Sequence, residues 1–534
     1  VARLVRAMAM PVTSIAAVTK ELTARGGSGA SATLASPSVV LLLTDDQDVL
    51  LSDAARWQPV LHRRVVQAGA TFARAFANSP VCCPSRSSLL TGKYTHNHGA
   101  LNNSLQGSCA SPQWSTEMEP DALAVHMQKA GYRTMYAGKY LNNYGLSGSL
   151  GLKYVPPGWS EWCGLQGNSR YYNYTLSVNG REERHGCNAS DYLTDVLAER
   201  AVAFVQRTSS PLFLWIGTPA AHASFTPAPP FVDTARGELA PRTPNWNVVG
   251  NRGHHQTVRE LSPMSANEAK ESDEIYRRRL GTLRSVDRLV ESVFSALDAT
   301  GRADATYFFY TSDHGFHLGQ NGMAYDKRQL FETDVRVPLF VSGPGVPAGA
   351  TLHQPVSHVD LAPTILALAT GGALTPDGWD GTSYHSALLG AAGGGRKDVL
   401  LQYYGEGRQT ETCGAHRLAY HTLADGTVVA WDVGEYEPAP CDGENNTWAC
   451  VRRVVPSAAP GEVLAVDDVW CEFACFVAGP GSAPVPCPAD EPEGYGAYYD
   501  LKADPWQVHN RARVLPHGER DALRKRLHEL RACQ

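Results

Sequence analysis

Residues Ser38-Val-Val-Leu-Leu-Leu-Thr-Asp-Asp46 decide the fold. Five apolar residues, Val39 to Leu43, stand without interruption, and two acids follow. A short unbroken apolar run is how a strand reads when both of its faces are buried, as in a parallel sheet. Outward from it, helical and strand patterns alternate from about residue 38 to 390. Asp121–Ala130 reads as a helix stopped by Gly131, and Tyr132–Ala137 as a strand. Asp191–Arg207 is a longer helix before the strand Leu212–Ile216. Ile275–Ala299 is a strong helix ended near Gly301, followed by the strand Tyr307–Thr311. Val337–Val341 and the helix Val359–Ala369 continue the series. Such alternation predicts an α/β fold, a large and mostly parallel sheet covered by helices on both faces.

The flanks read differently. Arg3 and Arg6 precede a small-residue apolar stretch, Ala7 to Val18, which fits a signal-peptide remnant or a disordered leader. Gly26 to Ser38 reads as a linker, so residues 1–37 are set apart from a catalytic domain over 38–390. Leu389–Arg396 is a plausible boundary. Beyond it, 397–534 reads as a smaller α+β domain with strands Val399–Tyr404 and Thr427–Trp431. A Gly/Pro-rich loop spans Ala478–Pro492, and a final helix spans Gly518–Arg531.

Composition narrows the function. The 534 residues carry a net charge of −6, and no Lys/Arg run is present to neutralise a phosphate backbone, which excludes nucleic acid as a partner. No apolar run approaches the roughly 18 residues of a membrane span. Twelve cysteines are unevenly spread, with Cys413, Cys441, Cys450, Cys471, Cys475, Cys487 and Cys533 in the last quarter. No pair has the CxxC spacing of a zinc site. Four N-x-S/T sequons, at Asn102, Asn173, Asn188 and Asn445, join the cysteines in predicting a secretory route and glycosylation.

Four strands run into reactive polar groups. Val39–Leu43 leads to Asp45 and Asp46, and Tyr307–Thr311 to Asp313 and His314. Tyr132–Ala137 leads to Lys139, and Leu212–Ile216 to a loop holding His222. Ligands of open α/β sheets bind outside the carboxyl ends of the strands. Crowded carboxylates repel unless a cation lies between them, and oxygen ligands favour Ca²⁺ or Mg²⁺. An Asx turn or a helix cap would account for one Asp of each pair equally simply. The segment Pro80-Val-Cys-Cys-Pro-Ser-Arg-Ser-Ser-Leu-Leu-Thr-Gly92 places Cys82 and Cys83 at a helix N-terminus, with Pro84 as first helical residue. Free N–H groups there favour an anion, and Arg86 adds a fixed positive fork. Either a nucleophile at an anion site or a buried thiol pair or disulfide partner fits that pattern.

Cys82-Cys-Pro-Ser-Arg86 followed by Thr91-Gly92 resembles the sulfatase signature, C-x-P-S-R…TG. The resemblance implies an alkaline-phosphatase-like architecture over roughly residues 37–533. It implies that Cys82 is converted to formylglycine by a formylglycine-generating enzyme, its hydrate being the nucleophile. It also implies metal ligation by Asp45, Asp46, Asp313 and His314 with the modified Cys82. Thr44-Asp-Asp-Gln-Asp48, Gly138-Lys-Tyr-Leu-Asn142, Tyr171-Tyr-Asn-Tyr-Thr175, Asp326-Lys-Arg-Gln-Leu330, Gly405-Glu-Gly-Arg408 and Asn445-Asn-Thr-Trp-Ala-Cys450 look like the N-acetylglucosamine-6-sulfatase branch. Heparan endosulfatases and algal arylsulfatases are similar over much of this pattern.

By that resemblance, Lys139 and Lys327 would neutralise sulfate oxygens, and His222 would protonate the leaving alkoxide. Many arylsulfatases carry a histidine two residues after the sulfate-binding lysine, where this chain has Leu141. The base for hemiacetal collapse is therefore assigned to His96 or His98, and His317 is a further candidate for catalysis or substrate binding. His314 stands where this branch usually has Asn; it admits Mn²⁺ or Zn²⁺, while the oxygen ligands favour Ca²⁺. The expected function is hydrolysis of a sulfate ester, the 6-O-sulfate of a glucosamine-type sugar, in an extracellular, cell-wall or lysosome-like compartment. An arylsulfatase of broad specificity, a phosphoester hydrolase on the same fold and a catalytically dead glycan-binding protein are the alternatives. With Cys82 modified and Cys83 read as a buried free thiol, ten cysteines remain for up to five bridges.

Overall fold

The structure is a computed structural model. It describes residues 36–251, 253–372, 376–391, 395–405, 419–422, 428–431, 446–457, 462–473 and 496–532. The leader, the Gly/Pro-rich loop, Asn445 and Cys413, Cys441, Cys475, Cys487 and Cys533 lie outside the described residues.

The main sheet has ten strands. In chain order they are β1 (Ser38–Thr44), β2 (Ala70–Phe72), β4 (Arg133–Lys139), β5 (Glu161–Leu165), β6 (Tyr174–Val178), β7 (Arg181–His185), β8 (Leu212–Gly217), β9 (Thr306–Ser312), β10 (Leu339–Ser342) and β11 (Ala350–Leu352). Their spatial order is β11-β2-β10-β9-β1-β8-β4-β5-β6-β7. The central strands β9, β1, β8, β4 and β5 are parallel, while β10, β6 and β7 join antiparallel. The short strands β3 (Ala75–Phe76) and β12 (Val356–Ser357) form a separate ladder.

Alternation along β1 explains the layers. Val40 and Leu42 face a core built with helices α3 (Leu193–Arg207) and α4 (Ala266–Ala299). Val39, Leu41 and Leu43 face the opposite core, with α1 (Cys82–Thr91), α2 (Leu123–Lys129) and α5 (Leu361–Thr370). A strand apolar on both faces is what two helix layers require. Helix α4 begins well before the expected Ile275, because Ser265 and Glu268 form a capping box at its start.

Asp398–Tyr403 (β13), Trp448–Pro456 (β16), Leu464–Phe473 (β17) and Gly496–Asp500 (β18) make a four-stranded antiparallel sheet. Between β13 and β16 lies the hairpin of β14 (Ala419–Thr422) and β15 (Val428–Trp431). Helix α6 (His517–Arg531) packs on the small sheet through Leu523, Leu527 and Leu530. This is the smaller C-terminal α+β domain.

One cysteine expectation is overturned. Cys83 is bonded to Cys109 and is not a free thiol. The chain after α1 folds back over the start of that helix, so Cys109 reaches Cys83 with a Cα–Cα distance of 5.8 Å. Cys450 and Cys471, opposite each other on β16 and β17, form a second bridge. Cys163 and Cys187 are unbridged, so the even count of ten does not resolve into five pairs.

Candidate active site

The strands β9, β1, β8 and β4 are consecutive neighbours in one parallel block, so their carboxyl ends lie side by side. Register places Thr44 beside Ser312, and Leu43 and Gly138 both beside Gly217. Asp45, Asp46, Lys139, His222, Asp313 and His314 follow from that geometry, and all six are buried. Gly138 and Gly217 permit the approach: a Cβ on Gly138, at φ +108°, would lie 1.9 Å from the Gly217 carbonyl oxygen.

Helix α1 delivers the nucleophile candidate. It starts at Cys82, so Pro84 sits third in the first turn, where its missing N–H leaves no bond unmade. Cys82 Sγ is 3.4 Å from His314 Nε2 and 3.9 Å from Asp45 Oδ1. Arg86, one turn on, donates from Nε to Asp313 Oδ2 at 2.8 Å and from Nη1 to the Lys139 carbonyl at 2.7 Å. Lys139 Nζ donates to Asp45 Oδ2 at 2.6 Å. Lys327 Nζ donates to Asp46 Oδ2 at 3.1 Å and lies 3.5 Å from His222 Nε2. His222 Nδ1 bonds the Ala223 carbonyl at 2.7 Å, so Nε2 faces the cluster.

The electrostatics are those of a crowded anionic centre wrapped in cations. Burial works against ionisation of Asp45, but Lys139, His222 and Arg86 hold it well below the usual carboxylate range. Asp313 goes the other way: burial and Asp45 push it up to about 6, against His314 and Arg86. Burial opposes charge on His222, but Asp46 and Asp45 raise it to about 9. Burial likewise opposes ionisation of the Cys82 thiol, yet it lies well below its ordinary value, with Lys139 the leading cause.

The donors fit a divalent cation. Ligand atoms of Asp45, Cys82, Asp313 and His314 lie within 4.8 Å of one another, as do those of Asp45, Asp46, Cys82 and His222. Asp46 Oδ1 is buried without a hydrogen-bond donor, and burial together with the neighbouring Asp45 disfavours the charged form of Asp313. A hard cation answers both.

Other expected residues are placed elsewhere. His96 Nδ1 pairs with Gln402 Oε1 of the small sheet at 3.1 Å, and His98 Nε2 with Ser88 Oγ at 3.1 Å. His317 Nδ1 is 3.0 Å from both oxygens of Asp334, and its backbone pairs with that of Asp326. It braces the loop that carries Lys327. Asn173 and Asn188 are exposed, whereas Asn102 is half-buried and its Oδ1 accepts from Ser104 N and Oγ.

Three side chains of the site escaped the sequence reading. Ser169 Oγ donates to Asp45 Oδ2 at 2.5 Å, from a loop with no recognisable pattern. Asp334 accepts from Gln329 N at 2.9 Å as well as from His317. Arg279 pairs with Asp48 Oδ2 at 2.8 Å and donates to the Asp46 carbonyl. Its signal was present: it shares a helix face with Ile275, Leu283 and Val286, an arginine in an apolar stripe.

A parallel α/β sheet ending in this cation-wrapped carboxylate cluster defines a hydrolase of anionic esters, and comparison with known proteins gives the family. Residues 37–372 match the Sulfatase family model. The chain is 39% identical to the N-acetylglucosamine-6-sulfatase of Homo sapiens over 520 residues, covering 95% of this chain and 86% of that protein. It is 31% identical to the arylsulfatase of Volvox carteri over 383 residues, covering 65% and 58% of the two chains. A solved structure described as a complex with its substrate D-glucosamine-2-N,6-O-disulfate superimposes with a TM-score of 0.68 at 20% identity, covering 92% and 97% of the chains. This chain belongs to the sulfatase family, the sulfuric ester hydrolases.

Proposed function

We propose that this sulfatase removes the 6-O-sulfate of glucosamine-type sugars. The 39% identity to N-acetylglucosamine-6-sulfatase over 95% of the chain carries the substrate class. The site's own chemistry supports sulfate ester hydrolysis. Position 82 becomes formylglycine through a formylglycine-generating enzyme, and its hydrate supplies an oxygen nucleophile at the start of α1. A cation held by Asp45, Asp46, Asp313 and His314, Ca²⁺ in this reading, supplies the positive charge that favours the ionised nucleophile. Arg86 fixes the orientation of Asp313 and of the Lys139 backbone. Lys139 pairs with Asp45 and Lys327 with Asp46, each positioned to neutralise charge developing on a sulfate oxygen. His222, with Nδ1 engaged by the Ala223 carbonyl, presents Nε2 to the cluster, from where it would protonate the departing sugar oxygen.

The secretory route rests on the sequons at Asn102, Asn173, Asn188 and Asn445, on two disulfides and on the likeness to extracellular sulfatases. Among the described residues no helix is long and apolar enough to cross a membrane. The test uses protein co-produced with the modifying enzyme. Sulfate release is measured from N-acetylglucosamine 6-sulfate and an aryl sulfate, phosphate release from an aryl phosphate, and the peptide bearing position 82 is weighed. The sugar sulfate should be the best substrate and position 82 an aldehyde. Turnover of the aryl sulfate alone would favour a broad arylsulfatase. Turnover of the phosphate alone, or an intact Cys82 in active protein, would overturn the reading.

A further inference from the structure

Lys327 lies on a loop whose backbone is held from two sides. On one side the antiparallel bridge between His317 and Asp326 fixes the approach to it. On the other stands Arg328, with φ +88°, a conformation that a non-glycine residue keeps only where its surroundings over-determine it. The contacts that do so are visible. Arg328 N donates to the Pro80 carbonyl at 3.2 Å, two residues before Cys82. Gln329 N donates to Asp334 Oδ2 at 2.9 Å. The Arg328 carbonyl accepts from Trp448 Nε1 at 3.2 Å and from Asn446 Nδ2 at 3.4 Å. Both donors belong to the C-terminal domain, at the start of β16, and both are fully buried.

We infer that Trp448 and Asn446 are positioning residues for Lys327: through the Arg328 carbonyl, the small sheet sets where the ammonium group meets a sulfate oxygen. The C-terminal domain is then part of the anion-binding apparatus. A tryptophan serves because its ring anchors in the core of the small sheet, beside Tyr403 and Phe473, while its one N–H reaches out of that core. The inference rests on Lys327 being an anion ligand, as the proposed function holds.

The test is a double-mutant cycle read by calorimetric binding of inorganic sulfate to the metal-loaded enzyme, with kcat/KM on N-acetylglucosamine 6-sulfate beside it. Trp448→Phe keeps the ring and removes the donor; Asn446→Ala is the second variant. Each should weaken sulfate binding by up to about tenfold, the worth of one hydrogen bond. In a Lys327→Ala background, neither should weaken it further. Val454→Ala, a core truncation in the same sheet, should lower Tm without changing sulfate binding. Wild-type binding in both variants, losses that multiply with Lys327→Ala, or an equal loss from Val454→Ala would each overturn the inference. Failure of the wild-type enzyme to release sulfate from any ester would instead count against the proposed function, because the binding cycle is read without turnover.

Discussion

Arg86 shows how much of this site hangs on the shape of one side chain. Three directions of its guanidinium are used: Nε to Asp313, Nη1 to the Lys139 carbonyl, and Nη2 toward Asp45 at 3.7 Å. A lysine carries the same charge on a single nitrogen without the planar fork, so it cannot hold the Asp313 carboxylate and a strand end in the same geometry. Arg86→Lys should lower kcat by at least about 100-fold, the scale of losing a preorganised electrostatic contact. The measurement is steady-state turnover on a sugar sulfate with circular dichroism unchanged; near-normal kcat would contradict the role. The metal makes an equally local prediction. Asp45 crowds both Asp46 and Asp313, and a cation would relieve that repulsion. Chelation should therefore lower Tm as well as activity, and Ca²⁺ should restore both. A Tm indifferent to chelator would show that these carboxylates hold no ion.

At the scale of elements, helix α1 is held at the end that carries Cys82, the proposed nucleophile. Asn103 Oδ1 accepts from Cys83 N at 2.8 Å, and Asn143 Nδ2 donates to the Asn103 carbonyl at 2.6 Å. The Cys83–Cys109 bridge closes that loop over a separation of 26 residues. Replacing both cysteines by alanine should cost roughly 2–5 kcal/mol in denaturant unfolding and should lower kcat, since the cap on Cys83 N loosens with the loop. Unchanged unfolding would mean that the loop is held by its hydrogen bonds alone. This element also marks the limit of the sequence reading. The strand-end logic was legible because period and polarity lie in neighbouring residues: Val39–Leu43 before Asp45, Tyr307–Thr311 before Asp313. The motif named Cys82 and Arg86 for the same reason. The Cys83 pairing was not legible, because a thiol's partner depends on how a loop returns and not on local pattern. The hairpin β6–β7 went unread too: β7, Arg-Glu-Glu-Arg-His, is a polar edge strand with no apolar alternation. Ser169, in a loop, and Asp334, in the one-turn helix Glu332–Val335, are ordinary residues until the fold brings them to Asp45 and to the backbone beside Lys327.

Taken as a whole molecule, two buried carboxyls of opposite character tilt the pH dependence of stability in opposite directions. Glu119 lies beneath the Lys139 strand end with Tyr140 Oη at 3.0 Å and Tyr154 Oη at 2.5 Å; burial outweighs these bonds and pushes it up to about 7. From its ordinary 4.5 to about 7 the folded chain keeps a proton that the unfolded chain has released. Stability therefore falls as pH rises through that window, by up to about 3 kcal/mol. Glu332 is the reverse. It joins the catalytic domain to the small sheet through Arg452 Nε at 3.0 Å, and Arg452 continues to Asp467, which Arg74 holds at 2.8 Å. Burial opposes its charge, but Arg452, Arg336 and Arg74 bring it down to about 2. Its contribution is present above 4.5 and is lost as pH falls from 4.5 to about 2, again up to about 3 kcal/mol. The two windows meet at the ordinary value of 4.5, and the buried histidines His98 and His358, pushed by burial down to about 3, add a rise with pH up to 6.5 against which Glu119 works. Glu119→Gln should make the slope of stability with pH more positive between about 4.5 and 7 than in the wild type, and leave the acid side. Glu332→Gln should lower stability at pH 5 and flatten the acid side, with the small-sheet tryptophans Trp448 and Trp470 reporting the loss by fluorescence. A profile that neither variant reshapes in its own window would show that these two carboxyls carry no part of it.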